Sequence, residues 1–186
     1  MAKSSTNRAK RGFTLIELLV VITVIGLLAA ILVPAIAGAL KGAQKARAMA
    51  QVKDLDGAVK RYFGEYNKMP VPAGNGGADQ LFTGAAQAQV IEILINVNTN
   101  FNPRQIVFLD IDPASFGVKT VTEMLAQLAS GTPFKDPWGT DYGILMDLNF
   151  DDKIDALGGF PEIRAKVAVY SAGSATNLAA PPYKTW

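Results

Sequence analysis

The stretch KRGFTLIELLVVITVIGLLAAILVPAIAG, residues 10–38, decides the architecture of the N-terminal part of the chain. From Leu18 to Leu40 there are 23 consecutive residues without an ionisable side chain. At about 1.5 Å per helical residue, a helix of this length exceeds a hydrocarbon layer of about 30 Å. The run therefore predicts a transmembrane helix, with the carboxylate of Glu17 at its head.

Charge is distributed unevenly along the 186 residues, although the net charge is only +2. Four bases lie within residues 1–11, residues 41–68 carry seven bases and three acids, and residues 69–186 carry seven bases and twelve acids. A basic stalk is thus expected to join an acidic head, and an acidic head does not favour nucleic-acid binding. Because the chain has no Cys and no His, disulfides, thiol and histidine chemistry and the usual zinc sites are excluded.

Three ordinary classes of segment could account for residues 1–40. A secretory signal has a shorter apolar stretch of about 7 to 15 residues before a cleavage site, and a buried core helix is also usually shorter. A plain membrane anchor explains the length and the flanking bases but not Glu17, since a carboxylate deep in a bilayer costs about 2.5–3.5 kcal/mol. Stabilisation by the helix macrodipole, about 0.3–1 kcal/mol, is the ordinary role open to Glu17.

The octapeptide KRGFTLIE, residues 10–17, resembles the class III leader of type IV pilins and type II secretion pseudopilins. The resemblance implies that a membrane-embedded prepilin peptidase cuts between Gly12 and Phe13 and that the new amine of Phe13 is methylated. It also implies that Glu17 pairs with the N-terminal amine of a neighbouring subunit in a filament. An uncompensated charge would then become half of an ion pair.

The helical pattern continues beyond the membrane run, because an apolar residue recurs every three or four positions up to Tyr66. These residues are Val52, Leu55, Val59, Tyr62 and Tyr66. The sequence thus predicts one rod from Phe13 to Tyr66, about 80 Å long. Pro34 is expected to interrupt it by removing a backbone hydrogen bond, although a harmless membrane kink is the alternative. Related subunits lose helix at this place on assembly, which implies local extension from about Gly26 to Pro34 in a filament.

The remaining pattern predicts an α+β head, with an antiparallel sheet packed on the apolar face of the stalk. The predicted domains are a leader at 1–12, a transmembrane and assembly helix at 13–40, an amphipathic helix at 41–68 and a globular head at 69–186. The elements expected in the head are a helix within Ala88 to Val97, a strand or extended loop from Gln105 to Asp112, a helix opened by a capping box at Thr120 to Glu123, strands at Tyr142 to Asn149 and Lys166 to Ser171, and a surface loop from Tyr170 to Trp186.

The segment Asp136-Pro137-Trp138-Gly139, followed by Asp141 and Tyr142, is a second point of resemblance. It resembles a signature of the major pseudopilin of type II secretion. From the residues alone it is a Pro-Gly turn, with a Trp side chain as an anchor, that leads into a strand.

The densest group of carboxylates is DLNFDDKID, residues 147–155, which resembles a calcium loop. Oxygen ligands would come from Asp147, Asn149, Asp151 and Asp155 and from the carbonyl of Lys153, and Ca²⁺ is the cofactor that such hard donors favour. Two positions depart from the calcium-loop pattern: Asp152 replaces the sixth-place glycine, and Gly158 stands where a bidentate glutamate would be. An acidic, solvated hairpin turn is the alternative.

Together these patterns predict a structural subunit rather than an enzyme, most like the major pseudopilin of a type II secretion system. The implied partners are other copies of the chain, the prepilin peptidase, the inner-membrane assembly platform, minor pseudopilins and membrane lipid, with no nucleic acid. The implied location is the bacterial inner membrane, with the head in the periplasm. The alternatives are a surface pilin, an anchored hydrolase that uses Asp136, Asp141 or Asp147, and an anchored binding module.

Overall fold

The computed structural model describes residues 13–72, 77–174 and 181–186. The chain divides into two compact units between Ala43 and Gln44. Helix α1 (Leu15–Tyr66) begins in the first unit and ends in the second. By length and composition α1 is able to cross a membrane, as the sequence predicts. The predicted cleavage residue Gly12 lies outside the described residues.

Pro34 lies inside α1, and the residues on both sides of it are helical. The prediction that Pro34 interrupts the helix is therefore wrong for the single chain. A proline removes one backbone hydrogen bond, and apolar helices tolerate that loss. Local extension from about Gly26 to Pro34 in a filament stays a prediction.

The second unit contains a four-stranded antiparallel sheet, in the order β1-β2-β3-β4. Its strands are β1 (Gln80–Phe82), β2 (Gly143–Met146), β3 (Val167–Ser171) and β4 (Tyr183–Lys184). The α+β class and the two strands predicted from the sequence are confirmed. The prediction of a surface loop up to Trp186 is wrong at its end, because Tyr183–Lys184 pairs with β3 and the Trp186 ring packs edge-on against Phe160 and Tyr170.

In its described residues, the head also contains two α-helices and one short 3-10 helix, at Pro113–Phe116. Helix α2 (Gly84–Leu94) begins earlier and is longer than the predicted helix. Helix α3 (Val121–Ala129) has the predicted capping box, in which Thr120 and Glu123 bond reciprocally. Residues 105–112 are a loop rather than a strand.

The core of the second unit forms on the apolar face of α1 that the sequence pattern predicts. Val52, Leu55, Val59 and Tyr62 are fully buried in one cluster with side chains of the sheet. The sheet contributes Ile144, Met146, Val167 and Val169. Since burying one large apolar side chain stabilises a fold by about 1.5–3 kcal/mol, this shared cluster stabilises the packing of the sheet on α1.

Polar side chains near the end of α1 also bind the loop that follows α2. Arg61 Nη2 donates to the carbonyl of Phe108 at 2.6 Å, and Tyr62 Oη donates to the carbonyl of Phe101 at 2.5 Å. Tyr66 Oη donates to Asn102 Oδ1 at 2.7 Å. Burial, together with the neighbouring Tyr66, raises the pKa of Tyr62 to about 12, so its hydroxyl stays a donor throughout the physiological range.

Gly143→Ala is expected to destabilise the head by about 1–3 kcal/mol, because overpacking forces neighbouring atoms to move. Gly143 lies opposite Tyr170, and a Cβ there would be 2.1 Å from Tyr170 Cε1. Thermal unfolding of the chain in detergent measures the effect. The control is Gly64→Ala on the exposed side of α1, where a Cβ meets no atom within 4 Å and helix propensity improves. Equal melting temperatures for the two variants would contradict the prediction.

Candidate assembly site and acidic loop

The start of α1 brings together Thr14 and Glu17, and the two residues form a capping box. Thr14 donates to Glu17 Oε2 from its backbone nitrogen at 2.9 Å and from its hydroxyl at 2.6 Å. The backbone nitrogen of Glu17 donates in return to Thr14 Oγ1 at 3.3 Å. Within one chain, therefore, the Glu17 carboxylate stabilises the first turn of its own helix.

This role of Thr14 was not predicted, although the sequence carries its signal. Thr-x-x-Glu is the spacing that correctly predicted the capping box of α3. Both Thr14 donors bind Oε2, so Oε1 of the same exposed carboxylate can accept from a further donor such as an amine. Capping and pairing with a neighbouring subunit are consequently compatible. The pairing itself stays a prediction.

The acidic loop is built around the buried side chain of Asp147. Asp147 Oδ1 accepts from the backbone nitrogen of Phe150 at 2.6 Å, and Oδ2 accepts from that of Asp152 at 2.9 Å. Phe150 and Asp152 have φ values of 61° and 65°, in the left-handed region. Asp tolerates that region better than most residues do, so Asp152 makes the turn for which calcium loops use glycine.

A lysine lies among the other carboxylates of the loop. Lys153 Nζ is 3.1 Å from Asp155 Oδ1, 3.1 Å from Glu162 Oε2 and 3.8 Å from Asp151 Oδ2. The hydrogen bond to Asp155, and to a smaller extent the one to Glu162, raises the pKa of Lys153, so the amine stays protonated. The neighbouring Asp152 pairs separately with Lys166, at 3.1 Å.

Asp79 supports the loop from a distant part of the sequence. Its Oδ1 accepts from the backbone nitrogen of Leu148 at 3.0 Å, and its Oδ2 accepts from that of Asp155 at 2.6 Å. No local pattern around Asp79 indicates this role, because the contact joins residues 76 positions apart. Asp79 thus fixes both ends of the loop that the sequence singled out.

The five predicted calcium ligands do not form an open ligand set in this arrangement. Within the described ranges, no group of three or more His, Cys, Asp or Glu side chains could hold a metal ion. Both oxygens of Asp147 accept from loop amides, while Asp151 and Asp155 lie beside the Lys153 ammonium. The side chains therefore fit a loop neutralised from within rather than a calcium site. Calcium binding stays a prediction.

The turn at residues 136–139 is organised by the buried carboxylate of Asp136. Its Oδ1 accepts from the backbone nitrogens of Trp138 at 3.0 Å and Thr140 at 2.9 Å. Its Oδ2 accepts from the hydroxyls of Thr140 and of Ser171 in β3. Asp136 thereby joins the turn to the sheet, and the Trp138 ring stacks on Tyr183 at 5.3 Å between centroids.

The three carboxylates of the alternative hydrolase hypothesis all bind structural donors. The carboxylate of Asp136 accepts four hydrogen bonds and that of Asp147 two, and Asp141 Oδ2 accepts from the backbone nitrogen of Gly84 at 3.2 Å. The arrangement favours turn formation rather than acid and base chemistry.

Comparison with known proteins identifies relatives for the N-terminal segment and for much of the chain. The family model described as the prokaryotic N-terminal methylation motif matches residues 7–33. The type II secretion system core protein G of Pectobacterium carotovorum is 26% identical over 136 residues, which cover 73% of this chain and 67% of that protein. The chain is a homologue of this core protein G. The predicted resemblance is confirmed.

Two further relatives match over shorter stretches. Core protein G of Escherichia coli K12 is 42% identical over 53 residues, which cover 28% of this chain and 37% of that protein. The type IV major pilin protein PilE1 of Neisseria gonorrhoeae is 38% identical over 64 residues, which cover 34% of this chain and 39% of the pilin. In these two alignments the homologue spans less than half of its relative. No solved structure matches it significantly.

The relatives are named as a type II secretion core protein and a type IV major pilin, which supports a structural role for this homologue. The methylation motif and the apolar helix fit a membrane-anchored pseudopilin. The individual roles of Gly12, Phe13, Glu17 and Pro34 stay predictions.

Proposed function

We propose that the chain is a major pseudopilin, which polymerises through its N-terminal helix into a filament that drives protein export. The observation that carries the proposal is the exposed apolar surface of α1 directly behind a processing motif. The large apolar side chains from Phe13 to Leu40 are 47–87% exposed. Lipid would cover this surface before assembly, and the same segment of neighbouring copies would cover it in a filament.

Lateral packing of this kind needs helices that can approach closely, because lipid supplies no hydrophobic force between them. Gly26 and Gly38 have open space around the position of a Cβ, and Ala residues surround Gly38 in the sequence. In this proposal the head stays folded on the second half of α1 during assembly. Only the first half of α1 changes its surroundings, from lipid to neighbouring subunits. A subunit of this design acts by assembly, and the energy comes from an ATPase outside the chain.

The partners in this proposal follow from the mechanism. A prepilin peptidase removes residues 1–12 and methylates Phe13, and an inner-membrane assembly platform adds each subunit to the filament with the help of minor pseudopilins. The homologue crosses the inner membrane once, with its head in the periplasm. It is not an enzyme, and its assembly requires no nucleic acid.

Processing at Gly12 provides the first test of the proposal. Co-expression with a prepilin peptidase is expected to shorten the chain by residues 1–12, with a methylated Phe13 detectable by mass spectrometry of the intact protein. Gly12→Val is expected to reduce the processed fraction to background, because a Cβ blocks close approach of the peptidase to the scissile bond. Gly26→Val, in the same apolar helix but away from the cut, is the control. An unprocessed wild-type chain would contradict the proposal.

A surface pilus is the second candidate function, and the similarity to a type IV major pilin favours it. The two functions differ in where the filament lies and in what its loss prevents. Deletion of a secretion pseudopilin retains exported proteins in the periplasm, whereas deletion of a surface pilin leaves export intact and removes filaments from the cell surface. Fractionation of the exported proteins, together with microscopy of the deletion strain, distinguishes the two.

A further inference from the structure

The segment from residue 147 to residue 162 concentrates negative charge in a few turns of backbone. Its acids are Asp147, Asp151, Asp152, Asp155 and Glu162, and its one base is Lys153. Carboxylates this close repel one another unless a positive charge or several hydrogen-bond donors stabilise them. The question is what provides that stabilisation in this chain.

The backbone places Lys153 between the two arms of a small hairpin. Ile154 and Ile163 exchange backbone hydrogen bonds of 2.8 and 2.9 Å across it. Lys153 precedes Ile154 on one arm, and Glu162 precedes Ile163 on the other. Lys153 Nζ donates to the carboxylate of Glu162 across the hairpin and to that of Asp155 on its own arm, at 3.1 Å each. One ammonium group therefore joins both arms, as a bound cation would.

Lys153 Nζ also lies 3.8 Å from Asp151 Oδ2, and the two remaining acids of the segment have partners other than Lys153. Asp147 accepts from the amides of Phe150 and Asp152, and the Asp152 carboxylate pairs with Lys166. The Lys166 ammonium also lies 4.8 Å from the centre of the Phe63 ring, on α1. All five acids thus have a partner that the protein itself supplies.

We propose that Lys153 is the resident cation of this loop: its ammonium group takes the place of a divalent ion and holds the two arms of the loop together without calcium. The carboxylates of Asp151, Asp155 and Glu162 would be free to bind a cation only if this ammonium were removed. A loop with the ligand spacing of a calcium site is then independent of the calcium concentration around it.

Three variants of the full chain in detergent test the proposal: Lys153→Gln removes the charge, Lys153→Arg keeps it, and Lys119→Gln changes an exposed lysine away from the loop. Each is melted in EGTA and in millimolar CaCl₂. We expect the wild type to melt at the same temperature in both. Lys153→Gln is expected to melt about 2–4 °C lower in EGTA, in keeping with a few partly exposed ion pairs, and to recover in calcium.

Calorimetric titration with CaCl₂ provides a second measurement that does not depend on melting. Lys153→Gln is expected to bind Ca²⁺ at least about tenfold more tightly than the wild type, because one competing positive charge is gone. Lys153→Arg and Lys119→Gln are expected to behave like the wild type in both experiments. A wild-type melt that falls in EGTA, or a Lys153→Gln variant as stable as the wild type in EGTA, would overturn the proposal.

Discussion

Glu17→Gln is expected to abolish filament assembly while membrane insertion and cleavage after Gly12 continue. Gln retains an oxygen that can accept from Thr14, so the capping box is preserved, but the negative charge that would pair with a neighbouring amine is lost. Removing one partner of a buried ion pair costs about 3–5 kcal/mol, which corresponds to a loss of filament of more than about a hundredfold. Sheared or extracted filaments, quantified against total processed subunit, measure the effect.

Thr14→Val separates the two roles of the carboxylate at this position. It removes the hydroxyl that caps α1 but leaves the Glu17 charge, so its cost is limited to that of a lost cap, about 0.5–2 kcal/mol. We expect Thr14→Val to assemble better than Glu17→Gln. If Glu17→Gln assembled as the wild type does, the carboxylate would serve only as a cap, and pairing between subunits would be wrong.

Asp136→Ala is expected to destabilise the head by about 3–5 kcal/mol, because it removes a buried carboxylate and leaves four hydrogen-bond donors, including the buried Ser171 hydroxyl, without their acceptor. Four donors lose their partner: the backbone nitrogens of Trp138 and Thr140 and the hydroxyls of Thr140 and Ser171. The melting temperature of the chain in detergent should fall by roughly 10 °C or more. Loosening of the turn should also increase the solvent exposure of Trp138, which fluorescence measures.

The control for this prediction is Asp110→Ala, which removes a carboxylate at an exposed position of the same head. Surface substitutions of that kind usually change stability by less than about 0.5 kcal/mol. A fall in melting temperature that is equal for both variants would mean that general charge, and not the hydrogen bonds of Asp136, determines stability.

The sequence predicts those parts of the fold that depend on neighbouring residues. Apolar periodicity located the face of α1 that carries Val52 and Tyr62, and the spacing from Thr120 to Glu123 located the start of α3. Strands β1 and β4 were not predicted, because they are three and two residues long and an alternating pattern needs a longer stretch to appear. They exist because β2 and β3 offer them edges for pairing.

The candidate sites, too, are predictable where they depend on neighbouring residues and not where they depend on distant ones. The methylation motif is readable from consecutive residues, and the family model matches it at residues 7–33. The cleavage of the leader and the pairing of Glu17 stay predictions. The role of Asp79 depends on a contact with Asp155, across 76 positions, that no local pattern encodes. The spacing of acids in the loop predicted a metal, but spacing alone does not reveal that Lys153 reaches Glu162 on the opposite arm.

The bonds from Arg61, Tyr62 and Tyr66 to the loop after α2 have a mechanical consequence. The three donors lie within little more than one turn of α1, and their acceptors are in Phe108, Phe101 and Asn102. A pull along the axis of this part of the helix loads all three at once, together with the buried apolar face beside them. Tension would have to break these bonds as a group, so the head would resist detachment cooperatively rather than peel away one contact at a time.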